Sequence, residues 1–238
     1  AHLPAPGQGA VDARHLCRGS GHLVTASPPK PARRGYNSAR RQQQAAQTRE
    51  LILATATALF SERGWAATGM RDIAGSAGVA VETVYANFSS KPDLLLGAID
   101  VGVVGDVEAV PLSQRPEFAA LGVGSFAERI AAAARLLTDI NRRSWGLRRA
   151  LTEGAASDPQ LEGALHGLER RRRENIREGV EMVLGRATDD DTLDMCWVVM
   201  GSETYYLLTR VGGHTDEDYQ RWLAATAGRV LDTERTQR

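Results

Sequence analysis

Met70-Arg-Asp-Ile-Ala-Gly-Ser-Ala-Gly-Val-Ala-Val-Glu-Thr-Val-Tyr-Ala-Asn-Phe88 carries two short apolar stripes separated by a glycine. Ile73, Ala74 and Ala77 fall at i, i+1 and i+4, which predicts a helix over about 70–77 with one apolar face. Gly78 supplies the left-handed residue that a sharp reversal needs. Val79 plugs the angle, and Val84 and Phe88 repeat at i and i+4 on a second helix over about 81–88. Two short helices crossed in this way form a helix-turn-helix, with the second presented outward to a DNA major groove.

Upstream, Leu51/Ile52, Ala56, Leu59/Phe60 and Arg63 keep a helical stripe from about Gln43, and Gly64 ends it. Downstream, Ser90-Lys-Pro-Asp93 opens a fourth helix, expected to run to about Val110, with a loop over 111–124. Further helices are expected over about 125–141, 145–156, 159–184, 188–208 and 215–231, several opened by Ser, Asp or Thr caps. No alternating strand pattern or hairpin dipeptide stands between strong β runs. The expected fold is all-α. Three regions follow: a basic, disordered arm over 1–42, a head over 43–90, and a helical body over 91–238. The arm, ending in Lys30, Arg33, Arg34, Arg40 and Arg41, reads either as a solvated tail or upstream extension, or as a source of extra phosphate and minor-groove contacts.

Formal net charge is zero, but residues 1–91 hold 11 Lys+Arg against 5 Asp+Glu, and residues 92–238 hold 18 against 24. A basic front half suits phosphates and an acidic rear half does not, so nucleic acid is expected to touch only the front. The two cysteines, Cys17 and Cys196, have no CxxC or zinc spacing, which suits a reducing compartment. No apolar run approaches the roughly 18 residues of a membrane span, and there is no continuous apolar leader. The expected location is cytoplasmic, with no membrane partner.

Ile52-Leu53, Ala56, Leu59-Phe60, Glu62, Gly64, Thr68, Arg71-Asp-Ile-Ala74, Ala77-Gly-Val79, Thr83, Tyr85, Phe88 and Lys91 follow one another in an ordered, ungapped signature. In these residues the chain resembles the tetracycline-repressor (TetR) family of bacterial transcription regulators. The resemblance implies a homodimer that places helix 81–88 of each head in double-stranded operator DNA. It also implies that Thr83 and Tyr85 meet phosphates or base edges, that Lys91 contacts phosphate, and that Arg71 reaches guanine, whose O6 and N7 fit a guanidinium. Val81, Glu82 and Asn87 complete the expected DNA face. Two residues depart from the family pattern. Ala80 removes the usual N-cap of the second helix, a loss of about 1 kcal/mol, and Gly69 stands where Ser or Thr is frequent. Alternatives stay open residue by residue: packing for Tyr85, a solvated helix start for Lys91, and pairing with a glutamate for Arg71.

The family layout implies an effector pocket for an unknown small molecule between helices of the 125–208 region, with Trp145, Leu147, Arg148, Met182, Met195 and Tyr206 as candidate lining. It also implies a dimer interface from Trp197, Gly201, Tyr205 and Leu208 on one helix and Trp222, Leu223, Ala227 and Val230 on the last. Arg170–Arg173 reads as a solvated face paired at i, i+4 through Glu169–Arg173 and Arg170–Glu174. Asp189–Asp191 and His214–Asp218 read as helix starts rather than metal ligands. No catalytic constellation, metal site or cofactor motif stands out. The reading is a ligand-responsive, DNA-binding regulator; the rival is a helical small-molecule- or partner-binding protein that has lost operator reading.

Overall fold

The computed structural model describes residues 34–106 and 110–236, so most of the arm expected over 1–42 lies outside the described residues. Of the N-terminal unit, residues 1–40, only the first turns of helix α1 are described. Residues 41–238 form a second unit. Helices α1 (Arg34–Arg63), α2 (Met70–Ala77) and α3 (Val81–Asn87) make the head. Gly78 takes φ +66° at the turn, and Val79 N–H donates back to Ala74 O over 3.0 Å. Ile52, Phe60, Ile73 and Val84 are fully buried there. Each such side chain stabilises the head by about 1.5–3 kcal/mol.

The body follows with α4 (Lys91–Val104), α5 (Pro116–Ala119) between two single 3-10 turns, α6 (Phe126–Ala155), α7 (Pro159–Leu184), α8 (Asp190–Val199), α9 (Ser202–Tyr206), a π turn over Leu207–Val211, and α10 (Asp216–Thr236). Among the described residues there is no strand. Ser90, Ser125, Asp158 and Asp189 accept backbone N–H groups as N-caps, as their positions in sequence suggest.

Several boundaries differ from the sequence expectation: α5 stands in the stretch expected as a loop over 111–124, and the last helix runs past 231 to Thr236. The first helix begins at Arg34 rather than Gln43, because Ala39 to Ala46 is a run of strong helix formers without a breaker. The fourth ends at Val104, where Gly105 takes the left-handed cap at φ +95°. The helices expected over 125–141 and 145–156 are one 30-residue helix, since nothing between Asn141 and Trp145 breaks it. The helix expected over 188–208 is instead broken at Gly201, the N-cap of α9.

Head and body are not separate cores. Leu147, Leu151 and Leu161 pack in one buried cluster with the head's Ile52, Phe60 and Val84. A second cluster joins α5–α10 through Phe118, Ile176, Leu193, Tyr205, Tyr219 and Leu223.

The first cluster is fastened by polar contacts from α6. Glu153 accepts the backbone N–H of Trp65 (2.9 Å) and of Ala66 (3.0 Å), and Arg149 donates to Ser61 O (3.2 Å). The two backbone hydrogen bonds hold the Glu153 carboxyl below its ordinary range, with further help from Arg149 and Lys91. A depressed carboxyl contributes stability above its unfolded pKa, ordinarily 4.5, and loses it as pH falls through the folded value. Glu153→Gln should therefore be less stable than the parent at neutral pH, with the gap closing below pH 4.5. Paired urea melts across pH 3–7 read this directly, and a gap independent of pH would remove the charge from the explanation.

Candidate nucleic-acid interface and ligand cavity

Helix α3 turns one face inward and the other to solvent. Val84 is fully buried and Val81 half-buried against the head core. Tyr85 is 53% exposed, and Glu82 and Ala86 are exposed beside it. Thr83 is half-buried, and Ala80 caps the helix with no side-chain hydrogen bond. Arg71 is exposed in the first turn of α2 and has no carboxylate partner among the described residues. Arg71, Thr83 and Tyr85 are thus available at the head surface, whereas Val81 belongs more to the core than to a groove-reading face.

Asn87 and Lys91 have internal partners that sequence reasoning did not foresee. Asn87 Nδ2 donates to Thr83 O (2.8 Å), and Asn87 O accepts from Arg49 Nη1 (2.8 Å), whose guanidinium also sits 4.1 Å over the Phe88 ring. Asn87 therefore ties off the end of α3. Lys91 Nζ donates to Trp65 O and lies 3.8 Å from the centre of the Trp65 ring. Burial lowers its pKa, and Glu153 and Asp72 partly offset this. Its ammonium is thus engaged within the head.

A cavity of about 740 Å³ lies within the second unit, bounded by α1, α4, α6, α7 and α10. That size suits a small organic ligand. Of the six residues expected to line a pocket, Arg148 alone lies on this wall. Leu147 points into the head cluster against Gly102. Met182 lines a separate shallow cleft with Glu178 and Arg186. Trp145 and Tyr206 stack on each other, ring centres 5.5 Å apart, and Met195 faces solvent. These five residues lie away from this cavity for one reason. Apolar character showed that these residues leave water, but not which of several interfaces takes them. A better signal was present: Asn141, Ser144 and Arg148 at i, i+3 and i+7 form a polar stripe inside an otherwise apolar helix face.

Arg148 is 8% exposed and shares the Glu169 carboxylate with Arg172, each guanidinium taking one oxygen. Burial and the like charge of Arg172 pull Arg148 down to about 10, against the pull of Glu203. Arg148 Nε donates to Ser202 Oγ (3.1 Å), Arg172 Nη1 to Trp197 O (2.9 Å), and Trp197 Nε1 to Glu169 (3.2 Å). One carboxylate therefore joins α6, α7 and α8. The expected i, i+4 pairs of the arginine run do not form; Arg173 instead crosses to Asp194 (2.7 Å). Glu169 and Arg173 reach across to Arg148 and Asp194 instead, whereas Arg170 and Glu174 both stay exposed.

The expected dimer stripe is largely used inside the chain. Tyr205 and Leu223 are fully buried, and Gly201 and Ala227 are buried as well. Tyr205 meets Tyr219 edge-on at 4.9 Å and donates to Asp216 (2.6 Å). Trp197, Leu208, Trp222 and Val230 are partly buried against the same cluster. The exposed apolar surface lies nearby: Met195 and Val198 on α8, then Leu207 and Val211 on the π turn, with Val198 and Val211 each 65% exposed.

Residues 52–98 match the family model described as bacterial regulatory proteins, tetR family. A search of curated proteins finds no match. Among solved structures, the chain is similar to a putative transcriptional regulator from Saccharomonospora viridis in complex with choline, at 21% identity and TM-score 0.57, covering 75% of this chain and 94% of that one. It is also similar to a putative tetR-family regulator from Mesorhizobium loti, at 20% identity and TM-score 0.53, covering 79% and 97%. A TetR-like regulator from Rhodococcus sp. RHA1 matches at 19% identity and TM-score 0.52, covering 78% and 96%. At these identities the likeness is one of fold.

Proposed function

We propose that this chain, whose residues 52–98 match the tetR family of bacterial regulatory proteins, is a DNA-binding transcriptional regulator that acts in the cytoplasm as a homodimeric repressor released from a palindromic operator by a small molecule. The observation that carries the reading is the head surface. Arg71, Thr83 and Tyr85 are open to solvent to differing degrees, on helices whose inner faces are held by a buried core. Two such heads would read successive major grooves about 34–36 Å apart, or a small multiple of that. The exposed Met195, Val198, Leu207 and Val211 supply apolar surface for a second copy. In this reading the head spans 43–90 and the effector and dimerisation region 91–238.

The cavity supports ligand response. Arg49, on its α1 wall, also holds the carbonyl of Asn87 at the end of the recognition helix. A ligand that moves α1 thus acts one side chain from the DNA face. Its effect is bounded by its differential affinity for the bound and released states. The choline held by the Saccharomonospora viridis structure is consistent with a small-molecule effector.

Fluorescence anisotropy with DNA from upstream of the protein's own gene, across a salt series with non-specific competitor, tests the proposal. The expected result is competitor-resistant binding with two chains per operator. Arg71→Ala should lose about 1–3 kcal/mol at one base position and relax preference there. Unchanged preference at every position would take Arg71 off the base-reading face. Binding that competitor removes would favour the rival reading as a ligand- or partner-binding protein, which the internal engagement of Lys91 supports.

A further inference from the structure

The cavity changes character along its length at the same level on both of its long walls. On α6, Ile130, Ala133, Leu137 and Ile140 line it first, and Asn141 and Arg148 follow. On α7, running the other way, Val183, Val180 and Ile176 line the same end, and Asn175, Arg172 and Arg171 follow, with Leu168 beyond them. The switch falls between Ile140 and Asn141 on one helix and between Ile176 and Asn175 on the other. The apolar end spans about 15 Å of α6 at 1.5 Å per residue. That length accommodates an extended chain of about a dozen methylenes at ordinary C–C bond lengths.

The polar end is rich in unused donors. Arg148 commits Nε to Ser202 and Nη2 to Glu169, which leaves Nη1 without a partner. Arg172 commits Nε and Nη1 and leaves Nη2. The Asn175 side chain makes no hydrogen bond among the described residues, while Arg172 also lies 5.4 Å over the Trp197 ring and both guanidiniums feel the charge of Glu203. None of these atoms is among the buried unpaired polar atoms, so each keeps some access to solvent, and all three residues line the cavity. Acceptors line the cavity as well: Asp100 on α4, which has Arg171 opposite it, with Asp106 beyond the end of α4 and Glu50 on α1.

We propose that the effector is a linear amphiphile with an anionic head, such as a medium-chain carboxylate, its chain in the Ile130–Ile140 end and its carboxylate on Arg148, Arg172 and Asn175. This rests on the reading of the cavity as the effector site and names the ligand class. The carboxylate accepts from two guanidiniums already held in place by Glu169, so little ordering is needed on binding. The chain leaves water against aliphatic side chains, a contribution that scales with its length.

Isothermal titration of the DNA-free protein with dodecanoate, decanoate and octanoate, each below its micellar concentration, tests the assignment alongside dodecanol and dodecyltrimethylammonium. The expected result is one site per chain, with affinity falling about fourfold per methylene removed. Dodecanol should bind at least tenfold more weakly than dodecanoate, and Arg172→Gln should erase that difference. Ala133→Phe, which fills the apolar end without touching the arginines, should weaken dodecanoate more than octanoate. Equal binding of alcohol and carboxylate, or tighter binding of the ammonium compound, would overturn the anionic head. No binding by any of the series to protein that still binds its operator would overturn the ligand class and leave the DNA-binding reading intact. Binding of dodecanoate without loss of operator affinity would support the ligand class and count against release by ligand.

Discussion

Gly146→Ala should destabilise the protein, although the same exchange at an ordinary interior helix position stabilises by up to about 1 kcal/mol. A Cβ on Gly146 would stand 2.8 Å from both Cα and Cβ of Ser61 and 3.1 Å from its carbonyl oxygen. Most of those atoms are backbone, so no side-chain rotation relieves the clash. Helix α1 or α6 must move, and both carry the buried cluster that joins head to body. Overpacking of this kind costs about 1–3 kcal/mol. For a chain of this size that is roughly 2–12 °C in melting temperature, at 2–4 °C per kcal/mol. Gly163 on α7 is the control, because nothing lies within 4 Å of its added Cβ. Gly163→Ala should raise the melting temperature and Gly146→Ala lower it. Calorimetry of the two variants reads the sign, and a rise in both would mean that α1 and α6 are not seated through this glycine.

Glu169→Gln is expected to cost about 3 kcal/mol, the lower end of the range for breaking a buried pair, since a quarter of the Glu169 side chain remains exposed. The substitution leaves Arg148 and Arg172 charged, close together and short of their shared counter-ion. Their mutual repulsion already lowers Arg148, and removing the carboxylate enlarges it. Arg173→Ala is the contrast. It breaks ion pairs to Asp190 and Asp194 whose carboxylates are mostly exposed, and should cost less than about 1 kcal/mol. Replacing the whole triad at once, by Arg148→Met, Glu169→Leu and Arg172→Met together, would test the same point from the other side, since a well-packed apolar substitute for buried ions is often neutral or stabilising. Denaturant melts of the single variants decide it. Equal losses for Glu169→Gln and Arg173→Ala would mean that the cavity-side guanidiniums stay solvated and draw little from Glu169.

The head was legible in sequence because its causes are local. Ile73, Ala74 and Val84 face inward through spacing alone, and Gly78 takes the left-handed turn that its lack of Cβ permits. Ser90, Ser125 and Asp158 cap helices within three residues of themselves. The cavity and the ion triad were not legible, because they depend on partners far away in the chain. Arg148 and Glu169 meet only once α6 and α7 pack antiparallel in one particular register. The same holds for Tyr205 and Leu223, whose spacing suits an interface between copies but which the chain's own second core cluster encloses.

Sequence by itself determined that the chain is helical, where its head turns, and which faces leave water, since each follows from interactions within one or two helical turns. Only the tertiary structure decided where those faces go: into the shared head–body core, along a cavity polar at one end, or out to solvent at Val198 and Val211. Apolar burial has no direction of its own, so an amphipathic stripe states that a surface must be covered, and the packing of distant helices selects what covers it.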